Sequence, residues 1–233
     1  MKILIILTGG RSGSGLLQSL FDGHKEILQF PGELLFTDEI KKIFKENSPP
    51  KFVNSFINFN QHFFDSRLNT IERHNKLGSL KNEFYKVDKN NFKKRFLKLF
   101  KISKKTNLDK LICLHKAYEE KANNLSKKKV IVLHIHDFIF FKNYLQIFKI
   151  KENTKIFLTM RDPIVSLCST INNWLKYKDG IFLTPRTLER NFDTHFNIFN
   201  NLHFLRKKIK VIKLEKLHQS SRDTLKKICK HLN

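Results

Sequence analysis

The chain has 233 residues, with 45 lysine and arginine residues against 21 aspartate and glutamate residues, and its formal net charge is +24. This length suits one α/β domain with a substantial core and is short for two, so we predict a single domain over residues 1–233. The charge is compatible with nucleic-acid binding, but the lysines are spread along the whole chain among many Asn, Ile and Phe residues. That spread is typical of a coding bias and predicts no specific nucleic-acid partner.

The first predicted element is a short apolar strand, Lys2 to Leu7, which runs into the glycine-rich segment Thr8 to Gly15 and then into a helix. Glycines let the backbone turn tightly, and the start of a helix offers unpaired N–H groups and the positive end of its dipole. The pattern therefore predicts a cradle for phosphate or a similar tetrahedral anion.

The spacing of these glycines argues against the two commonest phosphate loops. A Walker A loop follows G-x-x-x-x-G-K-[ST]. Gly10 and Gly15 have the spacing of the two glycines in this pattern, but the residue after Gly15 is Leu16 instead of the required lysine. A dinucleotide-binding loop follows G-x-G-x-x-G, and the glycines at 9, 10, 13 and 15 do not give that order. Both ATP and NAD are thus disfavoured as ligands.

A short second strand, Ile27 to Phe30, is followed by a middle region, residues 38–121, that we predict to be mainly helical. The capping-box pattern that begins at Thr106 predicts the start of one of its helices. Another predicted helix has apolar residues at helical spacing, with lysines between them. We expect its apolar side chains to face inward: Phe92, Phe96, Leu99 and Phe100. A membrane-surface or acidic-acceptor role for that helix is the alternative interpretation.

Three further apolar runs predict strands, at Lys129 to His136, Lys155 to Met160 and Ile209 to Leu214. Alternation of strands with helices predicts a doubly wound, mainly parallel sheet that binds ligands at the carboxyl ends of its strands. One such end carries His134, His136 and Asp137, but this group lacks a convincing third metal ligand, so we expect no metal site.

The three cysteines, Cys113, Cys168 and Cys229, are isolated in the sequence and form no C-x-x-C pair. Isolated cysteines are typical of reduced thiols in a cytoplasmic protein. The apolar run from Ile3 to Leu7 is too short for a signal peptide or a membrane span, so no transmembrane segment is expected. We therefore predict a cytoplasmic location.

The segment from Arg11 to Leu16 resembles the 5′-phosphosulfate loop of sulfotransferases that use 3′-phosphoadenosine 5′-phosphosulfate (PAPS), which reads [KR]-S-G-[TS]-[TS]-L. It departs from that pattern at Gly15, where the family has a hydroxyl residue. A second segment, Arg161-Asp162-Pro163 with Ser169 eight residues after Arg161, is similar to the family's R-[DN]-P-x-x-x-x-x-S motif. The likeness covers both ends of the chain and most of it after Lys129, but not the middle.

This resemblance implies a three-layer, P-loop-NTPase-like sulfotransferase fold, with a helical acceptor-side insert around residues 38–121. It also implies PAPS as cosubstrate and no metal. The residues expected to bind the cosubstrate are Gly10, Arg11, Ser12, Gly13, Ser14, Gly15, Leu16, Arg161 and Ser169. Arg161 and Ser169 would hold the 3′-phosphate; the alternative is that Arg161 pairs locally and Ser169 is an ordinary helix residue.

Three residues are catalytic candidates by the same resemblance. Arg11 would stabilise charge on the leaving 5′-phosphate, unless it serves in a structural ion pair. The general base would be His136, from a strand-end motif K-x-H in one branch of the family, or Glu33, near the position of a glutamate base in another.

The acceptor would be a hydroxyl or an amine, for example of a glycan or another anionic molecule. An ATP-dependent kinase with a degenerate loop, or a non-catalytic basic anion- or nucleic-acid-binding protein of the same fold, are the alternatives.

Overall fold

The computed structural model describes residues 1–8, 11–69, 76–119, 122–148, 154–175, 184–189 and 209–232. Its five strands form one sheet in the order β2-β3-β1-β4-β5. The sheet is parallel and is surrounded by helices, which confirms the predicted α/β class. The strands are β1 (Lys2–Thr8), β2 (Ile27–Gln29), β3 (Val130–His136), β4 (Thr154–Met160) and β5 (Ile209–Lys213).

The helices agree with the predicted pattern, including a mainly helical region between β2 and β3. They are α1 (Ser14–Ser19), α2 (Asp38–Lys45), α3 (Pro49–Phe59), α4 (Gln61–Phe64), α5 (Lys89–Lys101), α6 (Asn107–Tyr118), α7 (Phe138–Phe148), α8 (Pro163–Leu175), α9 (Leu214–Gln219) and α10 (Ser221–Leu232). Short 3₁₀ turns span Ser66–Leu68 and Ala122–Lys127. No helix within the described ranges is long and apolar enough to cross a membrane.

The described residues fall into two compact units built from non-contiguous segments. The first contains Gly23–Ile131 and Asn143–Ile150, together with Met1, and it includes the predicted helical insert. The second contains Lys2–Asp22, Val132–Lys142 and Lys151–Asn233, and it includes both segments that resemble phosphate-binding motifs. The single domain over residues 1–233 stays a prediction.

The first unit has an aromatic core. Phe30 stacks on Phe63 with 4.8 Å between ring centroids, and its ring lies 4.3 Å from that of the buried His115. The inward face of α5 is made by Phe92, Phe96 and Phe100, each one helical turn from the next and each buried. Leu99, also predicted to face inward, is half-buried and lies at the edge of the phenylalanine stripe.

Two side-chain contacts define helix ends in this unit. The predicted capping box is present at α6, where Thr106 accepts a hydrogen bond from the Asp109 N–H (3.1 Å) and the Asp109 carboxylate accepts one from the Thr106 N–H (2.9 Å). At the end of α2, the buried Lys110 ammonium donates to the carbonyl oxygens of Phe44 (2.7 Å) and Glu46 (2.8 Å). Lys110 thus satisfies carbonyl groups that the end of α2 leaves without helical partners.

In the second unit, β4 lies between β1 and β5 and pairs in parallel with both. Its register aligns Thr8 with Thr159 and Met160 with Lys213, so the three strands end at the same edge of the sheet. The interior of β1 is fully apolar and buried from Ile3 to Leu7. The loop after β1 and the start of α8 therefore follow neighbouring strand ends, as the sequence predicted for a ligand site.

Candidate anion-binding site

The loop after β1 has a left-handed backbone at two described positions, Arg11 (φ 43°) and Gly13 (φ 83°). Gly13 is the N-cap of α1, and its carbonyl accepts the Leu17 N–H at 2.9 Å. A Cβ at Gly13 would overlap the Leu214 side chain, which packs against it from α9. Both the backbone conformation and the close approach of Leu214 therefore require glycine at position 13. Gly10, predicted to bind the cosubstrate, lies outside the described residues.

The hydroxyl of Ser12 joins the ends of two neighbouring strands. It is hydrogen-bonded to the Thr8 hydroxyl (2.5 Å) and to the Thr159 hydroxyl (3.1 Å), and all three side chains are buried. Thr159 also donates to the carbonyl of Leu7 at 3.4 Å. These contacts give the Ser12 side chain a part in fixing the loop to β1 and β4. From the sequence, neither threonine was given a role in the site, because its only signal is a hydroxyl at or near the end of an apolar strand.

The remaining loop positions belong to the first turn of α1. Ser14 is buried, Gly15 is exposed, and Leu16 is partly exposed. The space where a Gly15 side chain would lie is open, with no atom within 4 Å of an added Cβ. The departure from the sulfotransferase pattern at position 15 therefore has no steric cause in this structure.

The second motif begins α8, and its aspartate caps that helix. The Asp162 carboxylate accepts the Val165 N–H at 3.0 Å, and its carbonyl accepts the Ser166 N–H at 2.8 Å. The Asp162 N–H in turn donates to Glu215 in the first turn of α9, at 3.3 Å. Asp162 is thus occupied by backbone groups. Glu215 is a further residue that the sequence reasoning did not connect with this motif.

The two motifs meet through their side chains. Arg11 Nε donates to Ser169 Oγ at 3.4 Å, although the residues are 158 positions apart in the chain. Arg11 is exposed and Ser169 is half-buried, so both are open to a ligand. Arg161 is half-buried and forms no hydrogen bond or ion pair with any other described residue, and no ion pair among them involves Arg11. Among the described residues, neither arginine therefore has the local ion pair that was the alternative to a role in ligand binding.

The two candidate bases belong to different units. His136 ends β3 in the second unit and is exposed, and the next residue, Asp137, donates its N–H to the Thr8 carbonyl at 3.1 Å. That hydrogen bond brings the end of β3 to the start of the loop. Glu33 is half-buried and belongs to the first unit. Among the residues that the structure describes, no three His, Cys, Asp or Glu side chains are grouped so as to hold a metal ion.

Comparison with known proteins supports the fold. No family model matches the chain, and no curated protein matches it. Among solved structures, it is similar to the sulfotransferase domain from the curacin biosynthetic pathway, with a TM-score of 0.50 and 17% sequence identity. The match covers 100% of this chain and 74% of that chain. This likeness shows a sulfotransferase-like α/β fold, as the sequence predicted.

Proposed function

We propose that the protein is a sulfotransferase that transfers the sulfuryl group of PAPS to a hydroxyl or amine of an acceptor and releases adenosine 3′,5′-bisphosphate. The observation that carries this proposal is the hydrogen bond between Arg11 and Ser169. The sequence resemblance ascribes one residue to the 5′-phosphosulfate and the other to the 3′-phosphate, so their contact agrees with a single nucleotide bound by both motifs.

The charges of the described residues are compatible with a nucleotide that carries two separate anionic groups. Arg11 and Arg161 supply two cationic guanidinium groups at neighbouring strand ends, neither of them in an ion pair among the described residues. Gly13 holds the loop backbone in a turn that would bring N–H groups towards a bound anion. Phosphate oxygens that accept from Arg11 and Ser169 would replace the hydrogen bond between these two side chains.

In the proposed reaction, the acceptor oxygen or nitrogen forms a bond to sulfur while the bond from sulfur to the 5′-phosphate oxygen breaks. The electron pair of that bond remains on the phosphate, and the Arg11 guanidinium stabilises the negative charge that develops there. The acceptor loses its proton to a base. We favour His136 because it shares a unit with the loop and because a neutral imidazole accepts a proton near neutral pH. Glu33 is the alternative base.

Isothermal titration calorimetry with adenosine 3′,5′-bisphosphate, ATP with magnesium, and NAD tests the cosubstrate. We expect the bisphosphate to bind and the other two to bind more weakly or not at all. Binding of ATP with magnesium but not of the bisphosphate would contradict the proposal and favour a kinase with a degenerate loop. Binding of the bisphosphate without sulfate transfer from labelled PAPS to any component of a cell extract would favour a non-catalytic binding protein.

We further propose a cytoplasmic location and an anionic acceptor such as a glycan. The cysteines support the location: Cys113, Cys168 and Cys229 are all free thiols, and burial raises the pKa of Cys113 to about 11. The net charge of +24 supports an anionic acceptor. Cell fractionation and identification of the labelled product in the extract test these two points separately.

A further inference from the structure

The segment of α5 and the turn after it is unusually basic. Residues 89–108 contain eight lysine and arginine residues and no aspartate or glutamate, whereas the whole chain has 45 basic residues in 233. This local density is about twice the average, so a bias spread evenly along the chain does not account for it. We define the α5 basic surface by six of the exposed residues in the later part of this segment, which are Lys94, Lys98, Lys101, Ile102, Lys104 and Lys105.

The orientation of α5 fixes these lysines in solvent. Phe92, Phe96 and Phe100 are buried, which leaves Lys94 and Lys98 on exposed positions of the helix. Like charges three and four residues apart, as in Lys94, Lys98 and Lys101, repel each other and destabilise a helix. Lys98 and Lys101 gain from the helix dipole because they lie in the last turn of α5, but the repulsion among the three lysines remains, and a negative partner would relieve it.

The described part of the chain does not supply that partner. Its ion pairs involve Lys41, Arg67, Lys128 and Lys129, and none of the lysines of the α5 basic surface. The nearest acidic residue along the chain, Asp88, is the N-cap of α5 and accepts hydrogen bonds from the N–H groups of Asn90 and Asn91. The acidic residue at the other end, Asp109, is occupied by the capping box of α6.

The hydrophobic member of the surface distinguishes between negative partners. Ile102 is the C-cap of α5 and is 85% exposed, between Lys101 and the pair Lys104 and Lys105. A soluble polyanion would contact the lysines and gain nothing from an isoleucine. A bilayer offers both phosphate headgroups for lysines and an apolar region below them for the isoleucine side chain.

We propose that the α5 basic surface binds membranes rich in anionic phospholipid, with the lysines at the headgroups and Ile102 inserted between them. Salt would weaken the binding because the lysine contribution is electrostatic. The proposal is independent of the sulfotransferase function, since none of these residues belongs to the candidate anion-binding site.

Co-sedimentation with phosphatidylcholine vesicles, with and without 30% phosphatidylserine, tests the charge contribution. We expect the triple variant Lys94→Gln, Lys98→Gln, Lys101→Gln to bind the phosphatidylserine vesicles about 100-fold more weakly than the unchanged chain. The control variant Lys226→Gln, Lys227→Gln, Lys230→Gln removes the same charge from exposed positions of α10 and should bind almost as well as the unchanged chain. Equal losses in both triple variants would overturn the proposal, since they would indicate attraction to net charge alone.

The variant Ile102→Ser tests insertion. We expect it to bind the phosphatidylserine vesicles about tenfold more weakly while its affinity for heparin stays the same. If Ile102→Ser binds vesicles normally and the lysine variant loses heparin or RNA binding instead, the surface recognises a soluble polyanion and the proposal is wrong. Circular dichroism and bisphosphate titration of each variant confirm that the chain is folded and that its nucleotide site is intact.

Discussion

Gly13 combines two constraints at one residue, a left-handed backbone (φ 83°) and close packing against Leu214. We expect Gly13→Ala to lower the free energy of unfolding by at least about 1–2 kcal/mol, because a side chain strains that conformation and Leu214 has to move. Bisphosphate affinity should fall as well, because the loop backbone shifts. Urea unfolding and calorimetry measure both effects. An unchanged unfolding midpoint would contradict this account of the loop.

Gly15 offers a matched control two positions away. It lies inside α1 with open space around its Cα, so Gly15→Ala should raise the free energy of unfolding by about 0.5–1 kcal/mol. The gain comes from the smaller conformational freedom of alanine in the unfolded chain. If Gly15→Ala destabilises the protein as much as Gly13→Ala, the glycines of the loop are equivalent and the special role of Gly13 is wrong.

Arg161 carries the proposed contact with the 3′-phosphate. Arg161→Ala should weaken the binding of adenosine 3′,5′-bisphosphate by about 10- to 100-fold, the usual loss when a charged hydrogen-bond donor is removed. Calorimetry with adenosine 5′-monophosphate, which lacks the 3′-phosphate, should show a much smaller loss. Arg222→Ala on the exposed side of α10 is the control for charge. Equal affinities of Arg161→Ala and the unchanged chain would refute the assignment.

Between elements, Lys110 of α6 holds the end of α2. Burial lowers its pKa, and the nearby Glu46 carboxylate opposes that shift. Lys110→Met keeps the apolar stem but removes the donor to the Phe44 and Glu46 carbonyls, so it should lower the free energy of unfolding by about 1–3 kcal/mol. Thermal unfolding measures the loss, and Lys42→Met on the exposed side of α2 should cause little change. Similar losses in both would rule out a capping role for Lys110.

Local patterns in the sequence were enough to predict most elements. The capping box at Thr106 and Asp109 involves residues three apart, so the start of α6 could be read directly. Two hydrogen bonds could not be predicted in this way, those between Ser12 and Thr159 and between Lys110 and Phe44. The residues of each pair become neighbours only after distant segments pack. The half-buried Leu99 has a related explanation: periodicity identifies an apolar face, but packing decides how deeply each residue of that face is buried.

At the scale of the whole molecule, the order of strands and helices predicted the α/β class. The spacing of the glycines argued against a Walker A loop and against a dinucleotide-binding loop. The resemblance implied that the two motifs bind one nucleotide, but the contact between Arg11 and Ser169 was not predicted, since no rule of spacing connects residues so far apart. Each of the two compact units combines segments from distant parts of the chain, so no linker in the sequence marks a boundary between them.

The stability of the whole chain should depend on a buried histidine in the first unit. His115 is 2% exposed, and burial lowers its pKa from 6.5 to about 4, against the opposing effect of its Nδ1 contact with the Leu111 carbonyl (2.9 Å). Between pH 6.5 and 4 the unfolded chain therefore binds more protons at this residue than the folded chain does. The contribution of neutral His115 to stability is complete above pH 6.5 and is lost as the pH falls towards 4.

This difference in pKa corresponds to a loss of about 3 kcal/mol in the free energy of unfolding as the pH falls from 6.5 to 4. His115→Gln cannot titrate, so its free energy of unfolding should change less between pH 7 and 4.5 than that of the unchanged chain, even if its absolute stability is lower. Urea unfolding across this pH range measures the slope. His218→Gln, which removes an exposed histidine of α9, should retain the full acid sensitivity. If His115→Gln loses stability with acid as steeply as His218→Gln does, protonation of His115 does not drive acid unfolding, and the cause lies in other titrating groups.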